Sequence, residues 1–299
     1  MTSSPAHGHH HHHHRHHHDN DNDNDNDNGE FDWEAMADAL ELDAAITLPI
    51  VHDIVRARTP HVEWASIGHV LDIGCGPGAV AVALSRHAPR ARVTALDSSA
   101  PLLGRVRNRA AQLGLDDRIW TIAADLDGPM PTLPAADVVW ASMVLHHVSD
   151  APATLARLHE ALAPGGTLVM VEFGNVPTIL PVTDALRESG TWSRFQAATT
   201  ASLNERLGLD PVAIDWPAML AAAGFVDIVD QGMAAHHPSP VDDTGRAWLT
   251  KHLGRGLEMA GDRLSGDDVE ALSALLHDIP HRDDLFVHAE RRVVTARRP

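Results

Sequence analysis

The chain predicts an α/β fold, a three-layer and mainly parallel sheet with helices on both faces. Two observations carry this. Between residues 68 and 173, short apolar runs alternate with helix-length segments, and such alternation calls for parallel strands joined by crossover helices. The first run, Val70–Ile73, ends in Gly74-Cys75-Gly76-Pro77-Gly78 and passes into an Ala/Val-rich stretch through Leu84. That pattern is a buried strand, a tight turn and a helix opening. Ligands of such sheets bind beyond the carboxyl ends of the strands, where strand order reverses.

Taken in order, residues 1–29 stand outside the fold. A histidine run from His9 to His14, continued at His16–His18, passes into an Asp-Asn repeat from Asp19 to Asn28. With no apolar face to bury, this segment is expected to be disordered. A purification tag, a low-complexity tail without a role and a Ni²⁺- or Zn²⁺-binding tail all fit its composition. Residues 30–60 read as a helical cap: Asp32 can cap a helix carrying Met36 and Leu40, and Pro49 can open a second one carrying Ile50, Ile54 and Val55. The domain proper spans residues 61–299. Its strands are expected at His69–Ile73, Arg92–Leu96, Ile119–Ala123, Asp137–Ala141 and Gly166–Phe173, with helices at 79–87, 99–113 and 150–163. Helical insertions follow near 175–211 and 235–284. Between them Asp215–Phe225 reads as a helix with proline near its start and glycine at its end. Strands at Val226–Asp230 and Phe286–Ala296 complete the sheet.

Composition bounds the function. Lys and Arg total 23 against 41 Asp and Glu, a formal charge of −18, which disfavours a sequence-independent grip on nucleic acid or anionic membrane. The single cysteine, Cys75, excludes an intrachain disulfide and a cysteine metal cluster; inside the glycine turn it reads as a small residue that fits. No apolar run reaches the roughly 18 residues that cross a bilayer, and the N-terminus lacks the apolar core of a secretory signal. The expectation is a cytoplasmic protein with a small-molecule partner.

The chemistry gathers just after the strands. Glycines let the main chain turn sharply and let a ligand lie against it, and the helix start offers free N–H groups. Gly74, Gly76 and Ala79 also satisfy the loose dinucleotide pattern. Asp72, two residues before the first glycine, would repel a diphosphate and suit an ammonium or sulfonium group. Asp97 ends the second strand, where a carboxylate can accept from both hydroxyls of a ribose or cap the next helix, a role open also to Ser98 and Ser99.

Leu71-Asp72-Ile73-Gly74-Cys75-Gly76-Pro77-Gly78 resembles the first motif of the class I S-adenosylmethionine-dependent methyltransferases. Asp137–Val148 resembles the family's fourth-strand motif, and Leu162–Leu168 the turn before its fifth strand. The resemblance covers roughly residues 68–173 and implies the Rossmann-like methyltransferase fold with S-adenosylmethionine as cofactor. It implies that Asp72, Gly74, Gly76 and Gly78 form the donor floor, that Asp97 with Ser98 meets the ribose, and that Asp125 and Leu126 meet the adenine. Carbonyls near Ala141 and Ser142 would meet the methionine ammonium. The roughly fifty residues between the last two strands depart from the family, which usually joins them by a short turn.

Methyl transfer brings nucleophile, methyl carbon and sulfur into line, and positioning alone supplies much of its rate. A base is required only when the acceptor carries a proton to lose. His147 is the first candidate, His146 the second, and Glu172 at the end of strand five a third; each has a structural alternative in fixing the loop. No metal constellation stands in the folded region, and His236-His237 reads as solvent-exposed. Two rivals use the same residues: an NAD(P)-dependent oxidoreductase, which leaves Asp72 and Asp125 without a role, and a non-catalytic cofactor-binding protein with a metal-binding tail.

Overall fold

The five strands expected between residues 68 and 173 all form. The structure, a computed structural model, describes residues 32–129 and 131–299; the expectations for residues 1–29 lie outside them. Met1–Trp33 is a separate unit of which only Asp32 and Trp33 are described, and Glu34–Pro299 forms the other.

The elements run α1 (Trp33–Asp53), β1 (His69–Ile73), α2 (Ala79–His87), β2 (Arg92–Asp97), α3 (Ala100–Gln112), β3 (Ile119–Ala123), β4 (Ala136–Ser142), α4 (Ala151–Ala161) and β5 (Leu162–Phe173). After them come α5 (Ala185–Glu188), α6 (Thr191–Leu207), α7 (Trp216–Ala222), β6 (Val226–His237), α8 (Asp243–Ala260), α9 (Gly266–Asp278) and β7 (Val287–Arg297). The sheet order is β3-β2-β1-β4-β5-β7-β6. The first five strands pair in parallel, and β7 enters antiparallel between β5 and β6. Strand order reverses between β1 and β4, so the switch point lies at the end of the glycine strand.

Both faces of the sheet are covered, which explains near-continuous apolar strands. Val70, Val93, Ala95, Trp140 and Val169 pack with α2 and α3 on one face, joined by Ile50 and Ile54. Leu71, Ile73, Val139, Leu168 and Met170 pack against Leu155 and Leu158 of α4 and Trp216 of α7 on the other. Asp137 Oδ2 accepts from the backbone N–H groups of Gly68 (2.7 Å) and His69 (3.0 Å), which pins the start of β4 to that of β1.

Three boundaries depart from expectation. Pro49 opens no second helix: α1 runs through it and continues as a π-helical turn over Ile54–Arg58. Ile46, Ile50, Val51 and Ile54 are all buried, and keeping that face on the core outweighs the lost N–H donor. β5 begins at Leu162 rather than Gly166, because Leu162 pairs Ala136 across an irregular register. β6 reaches His237 instead of ending at Asp230, since β7 offers it a partner all the way to Val287.

The two insertions together build a helical layer. α6, α8 and α9 bury Phe195, Trp248, Leu249, Leu253 and Leu272 against Val287 and Ala289 of β7 and Ile46 of α1. Asp268, at the start of α9, accepts from Thr191 Oγ1 (2.9 Å) and from Arg194 Nη2 (2.6 Å) of α6. His252 of α8 stacks on Trp248 with ring centroids 4.5 Å apart. Burial pushes its pKa down to about 4; Arg291 and Arg255 add to this and Asp43 opposes it. The unfolded chain therefore binds a proton that the native state refuses as pH falls below about 6.5. Stability should hold above that value and decline by roughly 2–3 kcal/mol between it and pH 4. Urea midpoints measured across pH 4–8 on the native chain and His252→Phe check this: the variant should lose that part of the acid sensitivity.

Candidate active site

The turn between β1 and α2 is shaped by its glycines. Gly74, Gly76 and Gly78 adopt φ of 61°, 51° and 85°, a region side chains disfavour. At Gly74 an added Cβ would stand 2.4 Å from Val144 Cγ2, and at Gly78 2.9 Å from Val106 Cγ2. The turn is thus pressed from the β4 loop on one side and from α3 on the other.

Backbone and carboxylate bonds lock it to the neighbouring strand. Cys75 N–H donates to Leu96 O at 3.0 Å, extending the β1–β2 pairing one step past the strand end. The Asp97 carboxylate accepts from Gly76 N–H and Ser99 N–H, each at 2.9 Å. Ser99, not Asp97, caps α3, its hydroxyl accepting from Leu102 N–H. Ser98 is exposed beside it. Asp97 is thereby free of the capping role and half-open at the strand's carboxyl end.

Asp72 lies beneath this turn, 1% exposed, and its Oδ2 has no hydrogen-bond partner. Burial first, and then the charge of Asp97, push its pKa up to about 8. Cys75 is buried as well, and burial with Asp72 and Asp97 pushes its thiol well above the usual range. It stays protonated and offers no nucleophile.

The remaining predicted residues ring the same edge. Asp125 is exposed past β3, its Oδ1 accepting from Asp127 N–H at 2.9 Å, while Leu126 is buried. Ala141 is buried and Ser142 half-buried at the end of β4. Beyond them Met143 takes a positive φ of 54° and donates to Val171 O at 2.7 Å. His146 is 6% exposed and Glu172 1% exposed. His146 Nδ1 lies 2.6 Å from Glu172 Oε2, and Leu145 N–H donates to Glu172 Oε1 at 2.9 Å. The Phe173 ring meets His146 edge-on at 4.6 Å. The His147 ring lies 4.0 Å from that of His146; part of its surface is open, yet desolvation of the ring, with His146 and Arg206 adding, pushes its pKa down to about 4.

Two contributors escaped the sequence reading. Leu40 of α1 reaches within van der Waals range of Gly76, 3.8 Å from the position a Cβ would take. α1 is strapped to α3 by ion pairs: Arg105 with Glu34 and with Asp38 (3.0 Å), and Arg109 with Glu41 (2.8 Å). The spacing of Glu34, Asp38 and Glu41 along one helix face was a readable signal; their partner was not.

Comparison with known proteins agrees with this geometry. A family model described as a methyltransferase domain matches residues 71–168. A demethylmenaquinone methyltransferase of Thermus thermophilus is 31% identical over 184 residues, 56% of this chain and 80% of that protein. An uncharacterized methyltransferase of Mycobacterium tuberculosis is 37% identical over 123 residues, 41% of this chain. The chain spans about half of that relative's length, 55%. In fold it is similar to phosphoethanolamine N-methyltransferase 2 of Haemonchus contortus solved with S-adenosyl-L-methionine, with a TM-score of 0.51, 15% identity and coverage of 91% of this chain and 61% of that one. The chain belongs to the class I S-adenosylmethionine-dependent methyltransferases.

Because Asp72 holds a proton in the folded state that the unfolded chain releases above about pH 4, it costs stability progressively up to pH 8. Asp72→Asn should raise the melting temperature of the ligand-free protein at pH 8, by about 2–4 °C for each kcal/mol recovered. The gap should close toward pH 4, which calorimetry at the two pH values reads directly.

Proposed function

We propose that the protein transfers the methyl group of S-adenosylmethionine to a small-molecule acceptor and releases S-adenosylhomocysteine. The observation that carries this is a pair of neighbouring carboxylates, Asp72 and Asp97, beneath and beside a glycine turn at the switch point. Among the described residues neither takes part in an ion pair. Such a floor favours a cation, whose arrival would draw the proton off Asp72, over a diphosphate, and the donor's sulfonium and ammonium groups are cations. Asp97 retains lone pairs for ribose hydroxyls, and Leu126 offers an apolar wall where the adenine would lie.

The donor supplies an activated methyl carbon; the acceptor's lone pair forms the new bond as the carbon–sulfur bond breaks. An acceptor hydroxyl or amine must also shed a proton. We assign that proton to His146 in preference to His147. With Nδ1–H donated to Glu172, the His146 ring is held in one orientation with the Nε2 lone pair available, whereas His147 has no such anchor. Glu172 acts through His146 as a positioning residue.

Isothermal titration with S-adenosylhomocysteine and with NADH tests the donor. Binding of the first and indifference to the second is expected, and the reverse would overturn the assignment. Asp97→Ala should weaken S-adenosylhomocysteine at least ~10-fold, the scale of one or more charge-assisted hydrogen bonds, without loss of the native circular dichroism spectrum. Glu172→Gln should lower turnover while leaving donor affinity within about twofold, since the hydrogen bond to His146 survives in altered polarity; unchanged turnover would remove the pair from the chemistry.

A further inference from the structure

α1 is held in two different ways along its length. From Asp43 onward it is anchored. Ile46, Ile50 and Val51 are buried, and Asp43 accepts from Arg291 Nη2 of β7 (3.1 Å) and from Trp248 Nε1 of α8 (3.3 Å). In the stretch Glu34–Glu41 only Ala37 is buried, and polar ties at the surface join it to the rest of the chain. Arg105 of α3 meets Glu34, Asp38 (3.0 Å) and Glu41 (3.6 Å), and Arg109 meets Glu41 (2.8 Å). On the other side Lys251 Nζ of α8 donates to Ala35 O at 3.3 Å. The Glu34 and Asp38 side chains are 78% and 64% exposed, so water and salt reach both.

Leu40 lies on this weakly held stretch and over the glycine turn. Its Cδ1 stands 3.8 Å from the place a Cβ at Gly76 would take, so a methyl group covers the side of the turn that the absent side chain leaves open. Gly76 is also the residue whose N–H the Asp97 carboxylate holds. A ligand that lies against the main chain at Gly76 and reaches Asp97 shares that space with Leu40.

We propose that Glu34–Glu41 is a flap over the donor turn, latched by Arg105 and Arg109, and that the donor enters and the product leaves when the latch opens. The proposal rests on the methyltransferase reading above. Exposed ion pairs are individually weak and are screened by salt, so a latch made of them opens without disturbing the buried half of the helix. Helix ends held by few apolar contacts open locally at little cost, and Asp43 marks the fixed end. The same pairs close over an empty turn and over an occupied one, so the latch sets the rate of exchange and leaves the affinity nearly unchanged.

Hydrogen–deuterium exchange on the full chain reads the flap directly. Amides of residues 37–41 should exchange faster than those of 46–53, and faster at high ionic strength than at low. Arg105→Gln should speed them roughly 3- to 10-fold, the scale of the lost pairs, while its calorimetric affinity for S-adenosylhomocysteine stays within about twofold of the native chain. Exchange over 37–41 that ignores both salt and Arg105→Gln would overturn the proposal. A staple tests the gate: Asp38→Cys with Arg105→Cys, bridged by a short bis-maleimide, adds accessible thiols while Cys75 stays buried. Bridged after S-adenosylhomocysteine is added, the chain should keep the ligand through desalting; bridged before, it should take the ligand up slowly. Equal uptake and loss in bridged and unbridged chains would also overturn the proposal. Calorimetry on the native chain separates the two readings: no binding of S-adenosylhomocysteine removes the methyltransferase reading, whereas binding with a salt-insensitive flap and a leaking staple removes only the latch.

Discussion

The site depends on the bond between the Asp97 carboxylate and the turn that follows β1. A run of left-handed glycines has little conformational preference of its own, so something must hold it. Asp97 does so by taking the N–H groups of Gly76 and Ser99 together, while Cys75 N–H takes the carbonyl of Leu96. The ends of β1 and β2 become one rigid rim. A ligand that meets Asp97 therefore meets the glycine turn in a fixed relation, and ordering is largely complete before binding.

That rim is electrostatically expensive. Asp72 lies under it with an unpartnered oxygen and holds a proton at neutral pH in the empty protein, because burial and Asp97 both disfavour its charge. A cation arriving above the turn would reverse that preference. The ligand-free state thus carries a local instability whose relief favours binding, the usual relation between strained polar groups and function. The buried His146–Glu172 contact on the next strands is the opposite case: two polar groups that satisfy each other, with Leu145 N–H fixing the second carboxylate oxygen.

Around this rigid edge the chain adds helices with their own core. α6, α8 and α9 share a hydrophobic cluster distinct from those on the two sheet faces, and α1 bridges that cluster and the cluster around α2 and α3 through Ile46 and Ile50. The ion pairs from α1 to Arg105 and Arg109 are surface-exposed and individually weak, so the buried isoleucines set the position of α1 and the charges refine it. The glycine turn and its carboxylates belong to the sheet, while this third cluster belongs to the helical layer.

The strands, the glycine turn and the placement of Asp72, Asp97, Asp125 and the two histidines at strand ends were legible in the sequence, because apolar periodicity and turn chemistry are local properties. Pro49 misled for the same reason: its local preference to open a helix yields to a buried face that only the folded chain presents. The long β6 was equally invisible, since its outer half is a strand by virtue of β7 beside it. Which histidine meets a carboxylate could not be read from two adjacent residues, whose directions depend on the loop that carries them. Residue order by itself determined the layered sheet and the polar groups along its rim. Only the tertiary structure decided that Glu172 faces His146 and that Leu40 lies over Gly76. Those contacts join segments far apart in the chain, and burial, not local preference, brings them together.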